Sequence, residues 1–196
     1  MTLRVSQVRR ETAETVVDVT VHLDGEGQGK IETGVGFFDH MLAILAKHSL
    51  MDLSIKAKGD TQVDDHHTVE DVGICLGKAI SQALGNKVGI HRFGHSEAPM
   101  DETLANVAID ISGRGFLVFN VKFPTDRIGS FDVQLTEEFL RAFCQQAGIT
   151  MHVNVPYGNN AHHITEAIFK GFARALFHAV TISPRQLGVP STKGVI

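Results

Sequence analysis

The chain has 196 residues, 43% hydrophobic and 20% charged, and a net charge of −4 with histidine neutral. That composition belongs to a soluble globular protein able to bury a real core, as one domain or two small halves, and it excludes disordered and fibrous classes. The slightly acidic balance gives no global field for nucleic acid, no stretch approaches the roughly 18 apolar residues of a membrane span, and MTLRVSQVRRETAETVV has no apolar centre for a secretory signal.

A short strand is expected at Val5 to Val8. Ala13-Glu14-Thr15 then leads into VVDVTVHLDGEG, an alternating β-branched strand that ends in the Asp24-Gly25 turn. KIETGV predicts another strand, FFDHMLAILAKH a helix from about Phe37 to His48, and DLSIKAKG a strand. A second helix runs from about His66 to Leu84, with Val69, Val72, Leu76, Ile80 and Ala83 on one stripe, and stops at Gly85-Asn86. A Gly-, His- and charge-rich join covers Gly85 to Pro99. The series then repeats. Asp101-Glu102-Thr103 leads into LANVAIDISGRG, followed by the strand GFLVFNVKF, a helix from about Thr136 to Ala147, and the strand ITMHVNVPYG. The last helix runs from about His162 to Val180, with Ile164, Ile168, Phe172, Ala175 and Ala179 on its stripe, and stops at Ser183-Pro184. Cys75 and Cys144 fall inside amphipathic helical patterns, which predicts buried free thiols, consistent with a reducing cytosol.

The fold class is therefore α+β. Two tandem repeats each form a four-stranded sheet with two helices on one face, and the helices of both halves pack between the sheets. The first repeat spans residues 1–90 and the second 91–196, together one compact unit.

Each repeat's last helix opens on the same tetrad. His66-His67-x-x-Glu70 is answered by His162-His163-x-x-Glu166, about half the chain later. Eleven histidines are the one compositional oddity, and imidazole with carboxylate is the main non-sulfur ligand set for divalent transition metals. A helix advances about 100° per residue, so His66 and Glu70 project within about 40° of each other and can share an ion. His67 points about 100° away from His66. Each tetrad thus suits two metals, one through its i/i+4 pair and one through its odd histidine. The bland alternative is a pair of solvated helix starts that happen to carry histidine.

Taken together, TGVGFFDHML, DDHHTVED, HRFGHSEAPMDET, ISGRG, NNAHHITEAIFKGFARAL and PSTKG resemble the imidazoleglycerol-phosphate dehydratase family, in order and over essentially the whole chain. The resemblance implies elimination of water from D-erythro-imidazole-glycerol phosphate to imidazole-acetol phosphate in histidine biosynthesis, by a cytoplasmic, manganese-dependent carbon–oxygen lyase. It implies two Mn²⁺ per active site and a closed homo-oligomer of roughly 24 subunits, with active sites at subunit interfaces. A single activity is expected, without the phosphatase domain that some relatives carry fused at the N-terminus.

Carried over residue by residue, one metal takes His40, His66, Glu70 and His163, and the other takes His67, His162 and Glu166. Many relatives complete the second set with a histidine in an EHF-like stretch. Here that stretch reads Glu137-Glu138-Phe139, so Glu138 holds the position. In the implied mechanism the substrate's imidazole, set between two ions as imidazolate, expels the C3 hydroxyl and acidifies the C2 hydrogen. Glu14 is the implied C2 base, although on its residue type alone it reads more readily as a surface glutamate at a strand start. Asp101 is a second, weaker candidate for proton transfer. His40, His66, His67, Glu70, His162 and His163 line the substrate site as well. The resemblance assigns the phosphate to Arg92, Arg114, Ser191, Thr192 and Lys193, residue types that suit a phosphate monoester's preference for guanidinium forks and clustered donors. His48 either lines the pocket or serves as a cap or core residue. Two rival readings use the same ligand inventory: a binuclear metal hydrolase working through metal-bound hydroxide, and a metal-clipped shell without catalysis.

Overall fold

The computed structural model describes residues 3–196. Strand β1 (Val5–Glu11) forms an exposed edge against β2 (Thr15–His22). In β2 every second side chain faces inward, and Val17, Val19 and Val21 are fully buried, as a period of two requires. Strand β3 (Gly29–Glu32), helix α1 (Gly36–Ser49), strand β4 (Asp52–Gly59) and helix α2 (His66–Leu84) complete the first repeat. The sheet order is β1-β2-β4-β3, antiparallel except for the parallel β3–β4 pair.

The second repeat has the same topology. It comprises β5 (Phe93–Met100), β6 (Thr103–Asp110), β7 (Phe116–Asn120), a small hairpin of β8 (Arg127–Ile128) and β9 (Phe131–Asp132), α3 (Gln134–Ala147), β10 (Thr150–Tyr157) and α4 (Ala161–Val180). Its sheet runs β5-β6-β10-β7, again with one parallel pair, β7–β10. Three elements differ from expectation. The join at 85–99 contains most of strand β5, and the β8–β9 hairpin is an insertion that the first repeat lacks. The wider strand Val5–Glu11 replaces the shorter one expected.

The helices cross-pack between the repeats: α2 lies on its own sheet and against α3, while α4 lies on the second sheet and against α1. One apolar core runs through both sheets, with Phe38, Phe139, Phe143, Phe169 and Phe172 nearly fully excluded from water where the helices meet. Phe139 stacks on Phe169, and Phe38 meets Phe139 edge-on. All ten stripe residues expected on the two tetrad helices are buried.

Helix contacts are close because the sequence supplies glycine where backbones meet. A Cβ on Gly73 would stand 2.8 Å from the Phe139 carbonyl oxygen, and one on Gly77 2.6 Å from that of Phe143. The same spacing fixes the register: α2 and α3 run parallel, with Glu70 level with Glu138. Helix ends follow local chemistry too. Gly148 closes α3 in the left-handed region, and the Asn160 side chain caps α4 by accepting from the backbone N–H groups of His162 and His163. Cys75 and Cys144 are buried and unpaired, as expected.

Candidate metal centre and active site

Both tetrads open at helix N-termini, which the fold sets at the same end of the bundle as the β1–β2 and β5–β6 turns. At the second tetrad, His162 Nε2 lies 3.2 Å and His40 Nε2 3.6 Å from Glu166 Oε2. Among the described residues, these three alone bring three ligand-type atoms within 4.8 Å of one another. Glu166 is buried and also takes an ion pair from Lys170 Nζ at 2.7 Å. Burial works to raise its pKa, but Lys170, His162 and His40 outweigh it and hold the carboxyl below its ordinary value. Phe37 sets its ring edge-on to His162 and in turn packs on Phe131 of the inserted hairpin.

Within one chain, His40 stands with His162 and Glu166. The cause is the cross-packing: α1 lies against α4, so His40 reaches the second tetrad. By the matching register, α3 brings Glu138 to the level of Glu70 on α2. Within the chain, Glu138 sits 4.0 Å from Arg141, and Glu137 pairs with the same guanidinium.

The odd histidines face carboxylates. His67 has Nδ1 at 3.1 and 3.2 Å from the Asp60 oxygens and Nε2 at 4.0 Å from Glu14. His163 has Nδ1 at 2.7 Å from Glu102 Oε2 and Nε2 at 3.9 Å from Asp101. Hydrogen bonding to Asp60 raises the His67 pKa, and Glu102 does the same for His163. In return, His163 and the surrounding N–H donors bring Glu102 down to about 2. Glu14 and Asp101 thus occupy like positions, one at each odd histidine, and both are exposed. Glu14 sits in a turn anchored by buried Asp71, which accepts from Arg10 at 2.7 Å and from the Thr15 hydroxyl.

Of the expected phosphate ligands, Arg92 is already oriented. Its Nε and Nη2 grip Asp110 at 2.7 and 3.2 Å, and its Nη1 donates to the Pro190 carbonyl at 2.9 Å. Arg114 sits in the turn after β6, near its own Ser112. Ser191, Thr192 and Lys193 form a tight turn in the tail, where the Lys193 N–H donates to Ser191 Oγ. His48 lies in the last turn of α1. Burial, followed by Lys170 and Arg174 of α4, lowers its pKa. Sequence reasoning missed Asp60, Glu102, Lys170 and Phe37. Only Glu102 carried a signal, as the neighbour of Asp101.

A cavity of about 410 Å³ borders the second tetrad between Pro124, Arg127, Asn159 and His162. A larger one, about 800 Å³, lies at the far ends of α2 and α4 and contains no tetrad residue. No helix among the described residues is long and apolar enough to cross a membrane.

Comparison with known proteins accords with this arrangement. A family model described as imidazoleglycerol-phosphate dehydratase matches residues 33–176. The dehydratase of Rhodopseudomonas palustris (strain BisB5) is 56% identical over 193 residues, covering 98% of each chain. The crystal structure of the Staphylococcus aureus enzyme superposes with a TM-score of 0.84 at 41% identity, covering 91% of this chain and 99% of that one. The Pyrococcus furiosus enzyme in complex with (S)-C348 gives a TM-score of 0.83 at 36% identity, covering 96% and 100%. A tetrad-bearing double repeat, a family match over most of the chain and full-length similarity at this level converge: the chain belongs to the imidazoleglycerol-phosphate dehydratase family.

Proposed function

We propose that this lyase converts D-erythro-imidazole-glycerol phosphate to imidazole-acetol phosphate with two Mn²⁺ per site, in the cytoplasm. The observation that carries the metal is the convergence of His40, His162 and Glu166 within 4.8 Å. Two imidazoles and a carboxylate suit Mn²⁺, which accepts both nitrogen and oxygen. These three would hold one ion. His66, Glu70 and Glu138, at one level of α2 and α3, would hold the other. His67 and His163 are held through Nδ1 by Asp60 and Glu102 and turn Nε2 toward exposed Glu14 and Asp101, so they would serve sites completed across a subunit interface. A closed homo-oligomer of roughly 24 copies is the assembly proposed. When bound, the ions supply Lewis-acid polarisation of the substrate's ring nitrogens and hydroxyl, and a template for the glycerol chain.

Glu14 stands at the mouth of the first tetrad and is proposed to take the C2 hydrogen as a proton once the C3 hydroxyl is expelled. Its exposed position leaves it free to approach a bound substrate. Asp101, the like-placed carboxylate at His163, is the second candidate for proton transfer. Arg92, held in a fixed orientation by Asp110, presents its guanidinium with Arg114, Ser191, Thr192 and Lys193 to the phosphate. Neither nucleic acid nor membrane has a part.

The direct test is product formation from imidazole-glycerol phosphate with Mn²⁺, after EDTA, and after Mn²⁺ is restored. Turnover that is lost and then regained supports the proposal. Absence of turnover with ample Mn²⁺ refutes it.

A further inference from the structure

We infer that Asp60 and Glu102 are positioning residues that fix the tautomer of the two odd histidines, so that each presents a bare Nε2 to metal. The inference rests on the metal site proposed above. An ionised carboxylate only accepts hydrogen bonds. With Asp60 at 3.1 Å and Glu102 at 2.7 Å, Nδ1 of His67 and of His163 must therefore donate. A neutral ring carries one N–H, so its lone pair lies on Nε2, pointing away. A carboxylate behind a ligating imidazole fixes its tautomer and orientation and raises its basicity.

Two observations mark the arrangement as selected. First, it occurs at both tetrads but from different places in the repeat. Asp60 follows β4, whereas Glu102 lies in the β5–β6 turn. The residue that follows β10, where Asp60 follows β4, is Gly158, and the sequence counterpart of Glu102 is Glu14. Duplication alone would have placed both partners at the same position. Second, Glu102 is itself oriented. Its other oxygen, Oε1, accepts from the Asn159 and Asn160 backbone N–H groups at 3.2 and 3.1 Å and from the Thr103 hydroxyl at 3.0 Å. Asn160 in turn caps α4 at the His162 and His163 N–H groups. The carboxylate therefore aims one oxygen at His163 and cannot turn.

That difference gives the two sites opposite responses to an amide. In Glu102→Gln the three donors claim the amide oxygen, so the NH₂ group faces His163 Nδ1. The ring proton is then driven to Nε2 and blocks the ligating lone pair. In Asp60→Asn no other side-chain acceptor role constrains the amide, and it can rotate to keep its oxygen on His67 Nδ1.

The test is calorimetric titration of chelator-stripped full-length protein with Mn²⁺, for wild type, Glu102→Gln, Glu102→Ala, Glu102→Asp, Asp60→Asn and Asp60→Ala. Far-UV circular dichroism verifies folding of each. Glu102→Gln should weaken Mn²⁺ binding by roughly 10- to 100-fold, more than Glu102→Ala, with partial rescue by Glu102→Asp. At position 60 the order should reverse, with Ala weaker than Asn. Should Glu102→Gln fail to fold, the Asp60 pair decides by that reversed order. Equal affinities for amide and alanine at the decisive position, or every variant within about twofold of wild type, would overturn the inference while leaving the metal site standing. Absence of saturable Mn²⁺ binding by wild type would overturn both.

Discussion

Gly77→Ala tests the close helix contact that sets the first tetrad against Glu138. The added Cβ would meet the Phe143 carbonyl oxygen at 2.6 Å, Gln146 Cβ at 2.9 Å and the Ala147 nitrogen at 3.0 Å. Ordinary contact begins near 3.4 Å, so the worst approach is about 0.8 Å too short. None of these atoms lies at the tip of a flexible side chain, so α2 and α3 must separate. Overpacking of this kind costs about 3 kcal/mol at the upper end of its range, and alanine recovers about 1 kcal/mol of helix propensity. The net loss is about 2 kcal/mol, which lowers Tm by about 4–8 °C in a chain of this size. Thermal and urea denaturation of metal-free protein measure it. Gly36→Ala is the control, because nothing lies within 4 Å of that position and stability should stay within about 1 kcal/mol of wild type. A Gly77→Ala protein as stable as wild type would show that the helices do not depend on this contact.

Glu14→Gln should keep Mn²⁺ binding and KM while lowering kcat by at least about 10²-fold; near-normal turnover removes Glu14 as the base. Deleting residues 190–196 takes away the Pro190 carbonyl that Arg92 grips, together with Ser191, Thr192 and Lys193. KM should rise at least about tenfold, equivalent to about 1.4 kcal/mol, and a kinetically silent truncation would defeat the tail's role. The Asp52 carboxylate accepts from the Gln28 and Glu26 N–H groups, which lowers its pKa. Its contribution is therefore present above the unfolded value of about 3.9 and fades as pH falls through the lower folded value. Asp52→Ala should cost about 1–2 kcal/mol near neutrality, and the deficit should narrow in urea melts taken below about pH 4; a pH-independent deficit contradicts this. Burial raises the Cys75 thiol to about 11 and Cys144 to about 12. Both should resist a disulfide reagent at pH 8 until the protein is denatured, and fast labelling of the native form would contradict their burial.

Several features were invisible in the sequence for definable reasons. Strand β5 hides in GIHRFGHSEAP because its inward residues are Gly94, Ser96 and Ala98. They are small because α4 presses directly on them: a Cβ on Gly94 would collide with the Ala175 carbonyl, and Gly171 fits against Val107 and Ala98. A strand under so close a helix loses the apolar alternation by which strands are recognised. The β8–β9 hairpin is too short for periodicity, yet it brings buried Phe131 under Phe37 and so supports His162.

The linear sequence alone determined the double repeat, the helix and strand types, the buried stripes and the residue types of the candidate ligands. All of these depend on local periodicity or on side-chain type, and both can be read one residue at a time. Tertiary structure alone decided which candidate ligands meet within the chain. His40 joins His162 and Glu166 because α1 lies against α4, and Glu102 stands behind His163 because the β5–β6 turn folds to the start of α4, while Asp60 reaches His67 from the loop just before α2. Such partnerships depend on which helix faces which, and that is settled by the packing of glycines and phenylalanines across the core, which carries no local signature.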